Sequence, residues 1–247
     1  MLATRLTAYA AAVVVKAELS GHEFDLEDVA ALLPVGPVRI TVEDGKHYLI
    51  ADEIDNRPPG IPFYEVAPRV LRQVNGLARA IGPDFRPVSL TGRYMDSDRP
   101  LTVVHAGTAE IRIRANPLVI GRGDGTPLPP PPQPLGPWQM SVASSRPEVA
   151  EALTIMGQTA PLGWVELYKV FEIVRHAVKP ADLAAVGLAT KDELSAFGAS
   201  ANRPDVSGQD ARHSRMSGPH PKRTMTIGEG RAFVGALMTA WIDSQRP

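Results

Sequence analysis

The 247-residue sequence contains no cysteine. Disulfide frameworks, thiol nucleophiles and cysteine-ligated zinc are therefore excluded. Acidic and basic side chains nearly balance, with a formal net charge of −1, so no overall field attracts nucleic acid or an anionic membrane. No apolar run approaches the roughly 20 residues that a helix needs to span a bilayer. These absences predict a cytoplasmic protein that is not associated with a membrane.

Short motifs of several large enzyme classes are also missing. The sequence has no GxSxG elbow, no P-loop and no GxGxxG dinucleotide fingerprint. The glycine-rich stretch 121–125 leads into prolines, not into a helix that could hold a phosphate. His213 and His220 are separated by Gly218-Pro219, with no carboxylate at a ligand spacing. The sequence therefore predicts no metal and no cofactor.

The first 122 residues alternate strand and turn signals and predict an α+β domain, rich in strands with one long helix. Asp44-Gly45 lies between two apolar, β-branched runs, which is the strongest short signal for a β-hairpin. Apolar residues recur at helical spacing over 67–81, with Pro68 expected in the first turn of that helix. Strands are predicted over 8–19, 38–42, 47–51, 88–94 and 101–115.

A proline-rich segment, 123–137, follows and predicts a linker, because polyproline cannot join a sheet. Beyond it, 138–247 predicts an all-helical domain. Ser145, Thr190 and Thr226 each precede a glutamate by three residues, which is the capping-box pattern of a helix start. In the helix predicted after Thr226, three glycines are expected to allow close approach of another helix.

The segment 199–223 is the part of the chain that could carry chemistry. It holds five Lys or Arg against two Asp, together with two His. Three interpretations are open: a solvated loop, a patch that contacts phosphate or RNA, and a nucleolytic site. In the last of these, His213 would be the general acid or base and Arg212 would stabilise developing charge, with Asp210 orienting the imidazole.

The RNA contacts predicted for this segment involve Asn202, Arg203 and Arg215. A structural role for Arg212 is the alternative, as a buried anchor that pairs with Asp205 or Asp210 or binds backbone carbonyls.

The C-terminal half resembles the HEPN superfamily over about residues 145–245. The resemblance rests on 164–172 (WVELYKVFE), on the polar stretch that ends at Ala211-Arg212-His213, and on the helix over 226–242. It implies a helical domain that engages RNA, either as a defence-type ribonuclease or as a non-catalytic relative. Arg212 and His213 are adjacent, whereas catalytic HEPN domains place four to six residues between the arginine and the histidine.

Two expectations about partners follow. HEPN-like domains commonly pair through helices, so a homodimer through the C-terminal half is predicted, with RNA or a protein as a further partner. A non-enzymatic protein-interaction or structural module is the alternative function. Steep salt sensitivity of binding would distinguish RNA engagement from that alternative.

Overall fold

The computed structural model describes residues 14–96, 99–103, 134–219 and 221–246. The fold is mixed α and β. The described strands are β1 (Val15–Ser20), β2 (Val38–Glu43), β3 (Lys46–Ala51), β4 (Ser89–Asp96) and β5 (Arg99–Thr102). The described helices are α1 (Glu23–Leu32), α2 (Asp52–Asp55), α3 (Phe63–Ile81), α4 (Gly136–Ser145), α5 (Pro147–Met156), α6 (Trp164–Ala177), α7 (Lys191–Asn202), α8 (Pro204–Ser207) and α9 (Ile227–Asp243).

The strands form one antiparallel sheet in the order β2-β3-β1-β4-β5. The predicted hairpin is confirmed: Glu43 pairs with Lys46, and Asp44 and Gly45 both have positive φ, at 49° and 74°. Of the first predicted strand, the described part begins at Val15, and residues 8–13 lie outside the described residues. The last predicted strand corresponds to β5, and 104–115 also lie outside them.

Helix α3 begins at Phe63, four residues before its predicted start. Pro68 therefore lies inside the helix, and its predicted place in the first turn is wrong. The earlier turn adds Phe63 and Val66 to the buried face. Burial of two such side chains is worth roughly 3–6 kcal/mol, which outweighs the backbone hydrogen bond lost at the proline.

The described residues after 134 form helices and connecting loops. The capping boxes at Thr190 and Thr226 are confirmed, with each hydroxyl accepting from the glutamate N–H at 3.2 Å. The box at Ser145 is wrong. This residue ends α4, a helix that begins within the predicted linker, and its hydroxyl donates to the Val142 carbonyl.

Helix α3 packs on the sheet with one side and on α5 and α9 with the other. One apolar core runs from Val15 and Leu49 through Leu77 to Leu153 and Leu237, all at most 1% exposed. The division at 123–137 stays a prediction. The residues on its two sides share this core, however, and the packing argues against independent folding of the two parts.

Close approach at the α9 glycines is confirmed at two of the three positions. A Cβ on Gly230 would lie 2.5 Å from the Trp164 ring, and one on Gly235 would lie 2.7 Å from the Ala80 carbonyl oxygen. At Gly228 the nearest such atom is the hydroxyl of Thr226, at 3.9 Å. The apolar stripe of α9 is covered within the chain, so the homodimer, which stays a prediction, would need another surface.

Candidate functional site

The basic segment 199–223 is more ordered locally than a connecting loop. Helix α7 continues to Asn202, α8 follows directly, and a 3-10 turn covers Gly208–Asp210. Asn202 and Arg203, both predicted to contact RNA, are 6% and 7% exposed. Their side chains face the protein and are not presented to solvent.

Arg203 anchors the chain that leads from α8 to α9. Its guanidinium donates to the Gly218 carbonyl at 3.0 Å and to the Pro219 carbonyl at 2.5 Å. It also forms a two-point ion pair with Asp205. This is the buried-anchor arrangement that the sequence offered for Arg212, and it occurs at a different arginine.

Arg212 lies against the surface of α6. Its guanidinium carbon is 4.2 Å from the centre of the Tyr168 ring, within the range of a cation–π contact. It donates to Asn202 Oδ1 at 3.2 Å and lies 3.9 Å from Glu172 Oε1. About a third of the side chain, 32%, stays exposed. These contacts hold the 211–213 turn against α6.

The remaining predicted residues, Asp210, His213 and Arg215, are exposed. Within the described part of the chain, none of the three makes a side-chain hydrogen bond or an ion pair, so Asp210 does not orient His213. His220 lies outside the described residues. The catalytic and RNA-binding roles of this segment stay predictions, since its described residues assemble no reacting centre.

Over residues 14–96, 99–103, 134–219 and 221–246, no cluster of His, Asp and Glu could hold a metal ion. In the same ranges, no helix combines the length and apolarity needed to cross a membrane.

A large cavity lies where the sheet, α3 and the C-terminal helices meet. Its volume is about 820 Å³. Its polar lining comes from α1, from the loop between α3 and β4, and from α3 and α9, and apolar side chains complete the wall. Its charged or titratable lining residues are His22, Asp25, Arg79, Asp84, Arg86 and Arg231, and its apolar ones include Phe85, Met156 and Leu162.

Three arginines line this cavity: Arg86, from the loop between α3 and β4, and the pair Arg79 and Arg231. Arg79, in the last turn of α3, donates to the Met156 carbonyl at 2.9 Å and to the Gln158 carbonyl at 2.8 Å. Arg231, in α9, donates through Nε to the Leu162 carbonyl at 2.9 Å. The backbone around the loop between α5 and α6 therefore holds both guanidiniums at one wall of the cavity.

Neither guanidinium of this pair forms an ion pair with a carboxylate of the described residues. Burial, followed by repulsion from Arg231, lowers the pKa of Arg79 to about 10. With this pKa Arg79 is still a cation at neutral pH, and two guanidiniums side by side favour an anion between them.

Asp25 lies at a different wall of the same cavity. It is 2% exposed and accepts a hydrogen bond from the backbone N–H of Arg86 at 3.0 Å, through Oδ1. It forms no ion pair with Arg79 or Arg231. The cavity thus carries a pair of guanidiniums at one wall and a separate buried carboxylate at another, and Asp84 and Arg86 also line it.

Sequence reasoning missed this site. Arg79 lies off the apolar face predicted for 67–81, and Arg231 is a single arginine near a helix start. The two residues are far apart in the chain, and no local motif connects them. Comparison of the chain with protein-family models, with curated proteins and with solved structures gives no match.

Proposed function

We propose that this protein binds a small anionic molecule in the cavity between its sheet and its C-terminal helices. The observation that carries the proposal is the Arg79–Arg231 pair, which faces the cavity with carbonyl partners and without a carboxylate partner among the described residues. Guanidiniums bind carboxylate and phosphate groups through paired N–H donors, and such bonds are stronger when partly buried.

The dimensions and lining of the cavity also support a small-molecule ligand. Ligand sites enclose about 300–1,000 Å³ and combine apolar walls with a few placed polar groups. Here about 820 Å³ is available, and Phe85, Met156 and Leu162 contribute apolar surface beside the arginines. A macromolecular anion would need an open, continuous surface of cations, which this recessed site does not offer.

Thermal unfolding with added anions tests the proposal. We expect sulfate and inorganic phosphate, compared with chloride at the same ionic strength, to raise the melting temperature. At ten times its Kd, an anion adds about 1.4 kcal/mol, or roughly 3–6 °C for a chain of this size.

Arg231→Gln should lose this anion-induced rise, while the exposed Arg215→Gln, the matched control, should keep it. Without anions, Arg231→Gln should lose at most about 1 kcal/mol of unfolding free energy, which is the contribution of one hydrogen bond. The loss stays small because the substitution also relieves repulsion with Arg79. An equal rise in both variants would overturn the proposal.

A second candidate function is RNA engagement by the segment 199–223, as the HEPN resemblance implies. The observation in its favour is that His213, Arg215 and Lys222 are exposed and have no acidic partner in the described chain. Anisotropy of a labelled single-stranded RNA at 50–200 mM salt tests it. Arg215→Ala with Lys222→Ala should reduce the slope of log K against log salt by about 1.4, at roughly 0.7 per contact. Binding without salt dependence would reject RNA engagement.

A further inference from the structure

Asp25 is a buried carboxylate with unused hydrogen-bonding capacity. Among the described residues its only partner is the backbone N–H of Arg86, which binds Oδ1. No hydrogen bond to its Oδ2 occurs within the described part of the chain, and the residue lines the cavity.

This arrangement is costly without a ligand. A carboxylate can accept about four hydrogen bonds, and burying one that is poorly satisfied costs several kcal/mol unless a donor or a cation compensates. Arg79 and Arg231 do not supply that compensation, since neither forms an ion pair with Asp25. A donor that enters the cavity would therefore gain a strong, charge-assisted bond at Oδ2.

A simple anion would not use the whole site. It would be attracted by Arg79 and Arg231 and repelled by Asp25. A molecule with a cationic donor at its other end would satisfy both walls at once. Asp25 forms no ion pair with Arg79 or Arg231 across the cavity. The anionic and cationic ends of such a molecule must therefore be separated by a spacer.

We infer that the ligand is a small dipolar molecule, an inference that rests on the proposed function. It has a phosphate or carboxylate at the arginine wall and a protonated amino group at Asp25, on a short apolar spacer. The arginines supply affinity for the anionic end, and Asp25 selects for the amino group against anions that lack it.

Calorimetric titration with matched probes tests this inference on the parent protein. The probes are 2-aminoethyl phosphate, its trimethylammonium analogue and ethyl phosphate, with 3-aminopropionate and propionate as a carboxylate pair. We expect the amino compound of whichever pair binds to be favoured about tenfold or more, which is the effect of one charge-assisted hydrogen bond. The trimethylammonium analogue keeps the charge but cannot donate, so it should lose most of that advantage.

Asp25→Asn supplies the second arm. Asparagine keeps an acceptor for the Arg86 N–H, and its melting temperature reports whether the fold is intact. We expect the amino preference to disappear while the affinity of ethyl phosphate or propionate is kept or increases. Equal binding of amino and plain probes to the parent protein would overturn the inference and leave the proposed function standing. Failure of every probe, or binding that Arg231→Gln does not weaken, would overturn both.

Discussion

The Tyr94 hydroxyl is enclosed in the core and has no hydrogen-bond partner among the described residues. The residue is 1% exposed, and its ring packs against Phe63 with centroids 4.8 Å apart. Leaving a buried hydroxyl unsatisfied costs about 1–3 kcal/mol. Tyr94→Phe should therefore leave the free energy of unfolding unchanged or raise it by about 1 kcal/mol, as measured by urea denaturation. A loss of more than 1 kcal/mol would show that the hydroxyl has a partner.

The same residue gives a pH dependence. Burial raises the pKa of Tyr94 above its ordinary value of 10.0. The folded state therefore holds this proton more tightly than the unfolded state, and the linked stability is present below about pH 10 and is lost as pH rises through the folded pKa. The parent protein should lose stability relative to Tyr94→Phe above pH 10. A constant difference from pH 8 to 11 would contradict this account.

Arg203 has a structural role that substitution can separate from RNA binding. Its removal leaves the Gly218 and Pro219 carbonyls and the Asp205 carboxylate without their donor. Arg203→Ala should lower the melting temperature by more than about 3 °C, whereas Arg215→Ala, at an exposed position in the same segment, should change it by less than about 1 °C. Equal shifts in the two variants would contradict the anchoring role.

Composition identified this segment, but it could not assign the roles within it. Arg203 and Arg212 are equivalent on charge and differ only in what surrounds them. The carbonyls that Arg203 binds come from residues 15 and 16 positions later, and the Tyr168 ring beneath Arg212 belongs to another helix. Such long-range neighbours have no local signature in the sequence.

Helices α3 and α5 cross at two glycines. A Cβ on Gly76 would lie 2.0 Å from the Leu153 carbonyl oxygen, and one on Gly157 would lie 1.8 Å from the Arg72 carbonyl oxygen. Both obstacles are backbone atoms, which cannot move without separating the helices. The close packing of these two elements therefore depends on the absence of side chains at the crossing.

Gly76→Ala should destabilise the protein by at least about 1–3 kcal/mol, the range for overpacking a core. Gly198→Ala in α7 is the matched control, because a Cβ there meets nothing within 4 Å. In that open helical position the alanine should stabilise by up to about 1 kcal/mol. Urea denaturation of both variants checks the pair, and destabilisation of similar size in both would contradict the crossing geometry.

Elements with strong local signals were predictable. The Asp44-Gly45 hairpin and the capping boxes at Thr190 and Thr226 depend on residues that are neighbours in the chain. The start of α3 and the whole of α4 were missed for a common reason. Prolines near each start argue locally against a helix, and burial against distant parts of the chain outweighs that local preference.

The molecule as a whole has one core, in which α3 is shared by the sheet and the C-terminal helices. We expect a single cooperative unfolding transition. The three tryptophans all lie after residue 137, so their fluorescence reports on the C-terminal part, and pulse-labelled amides of β1, β3 and β4 report on the sheet. The two urea midpoints should coincide, and Gly76→Ala should shift them together. Separate midpoints would support the predicted division into two domains.

The cavity is a feature of the whole molecule. It is formed where parts of the chain from both sides of the segment 123–137 meet, and its charges come from residues that are unremarkable in their own helices. Sequence patterns report the faces of single elements, so they predicted α3 and α9 but not the approach of Arg79 to Arg231.

The most direct test of anion binding is crystallographic. Crystals soaked in selenate, an anomalous scatterer that substitutes for sulfate, would locate any bound anion. We predict an anomalous peak between the guanidiniums of Arg79 and Arg231, and its absence in crystals of Arg231→Gln soaked in the same way. Peaks confined to other surfaces, or a carboxylate of the chain itself in that position, would contradict the proposed function.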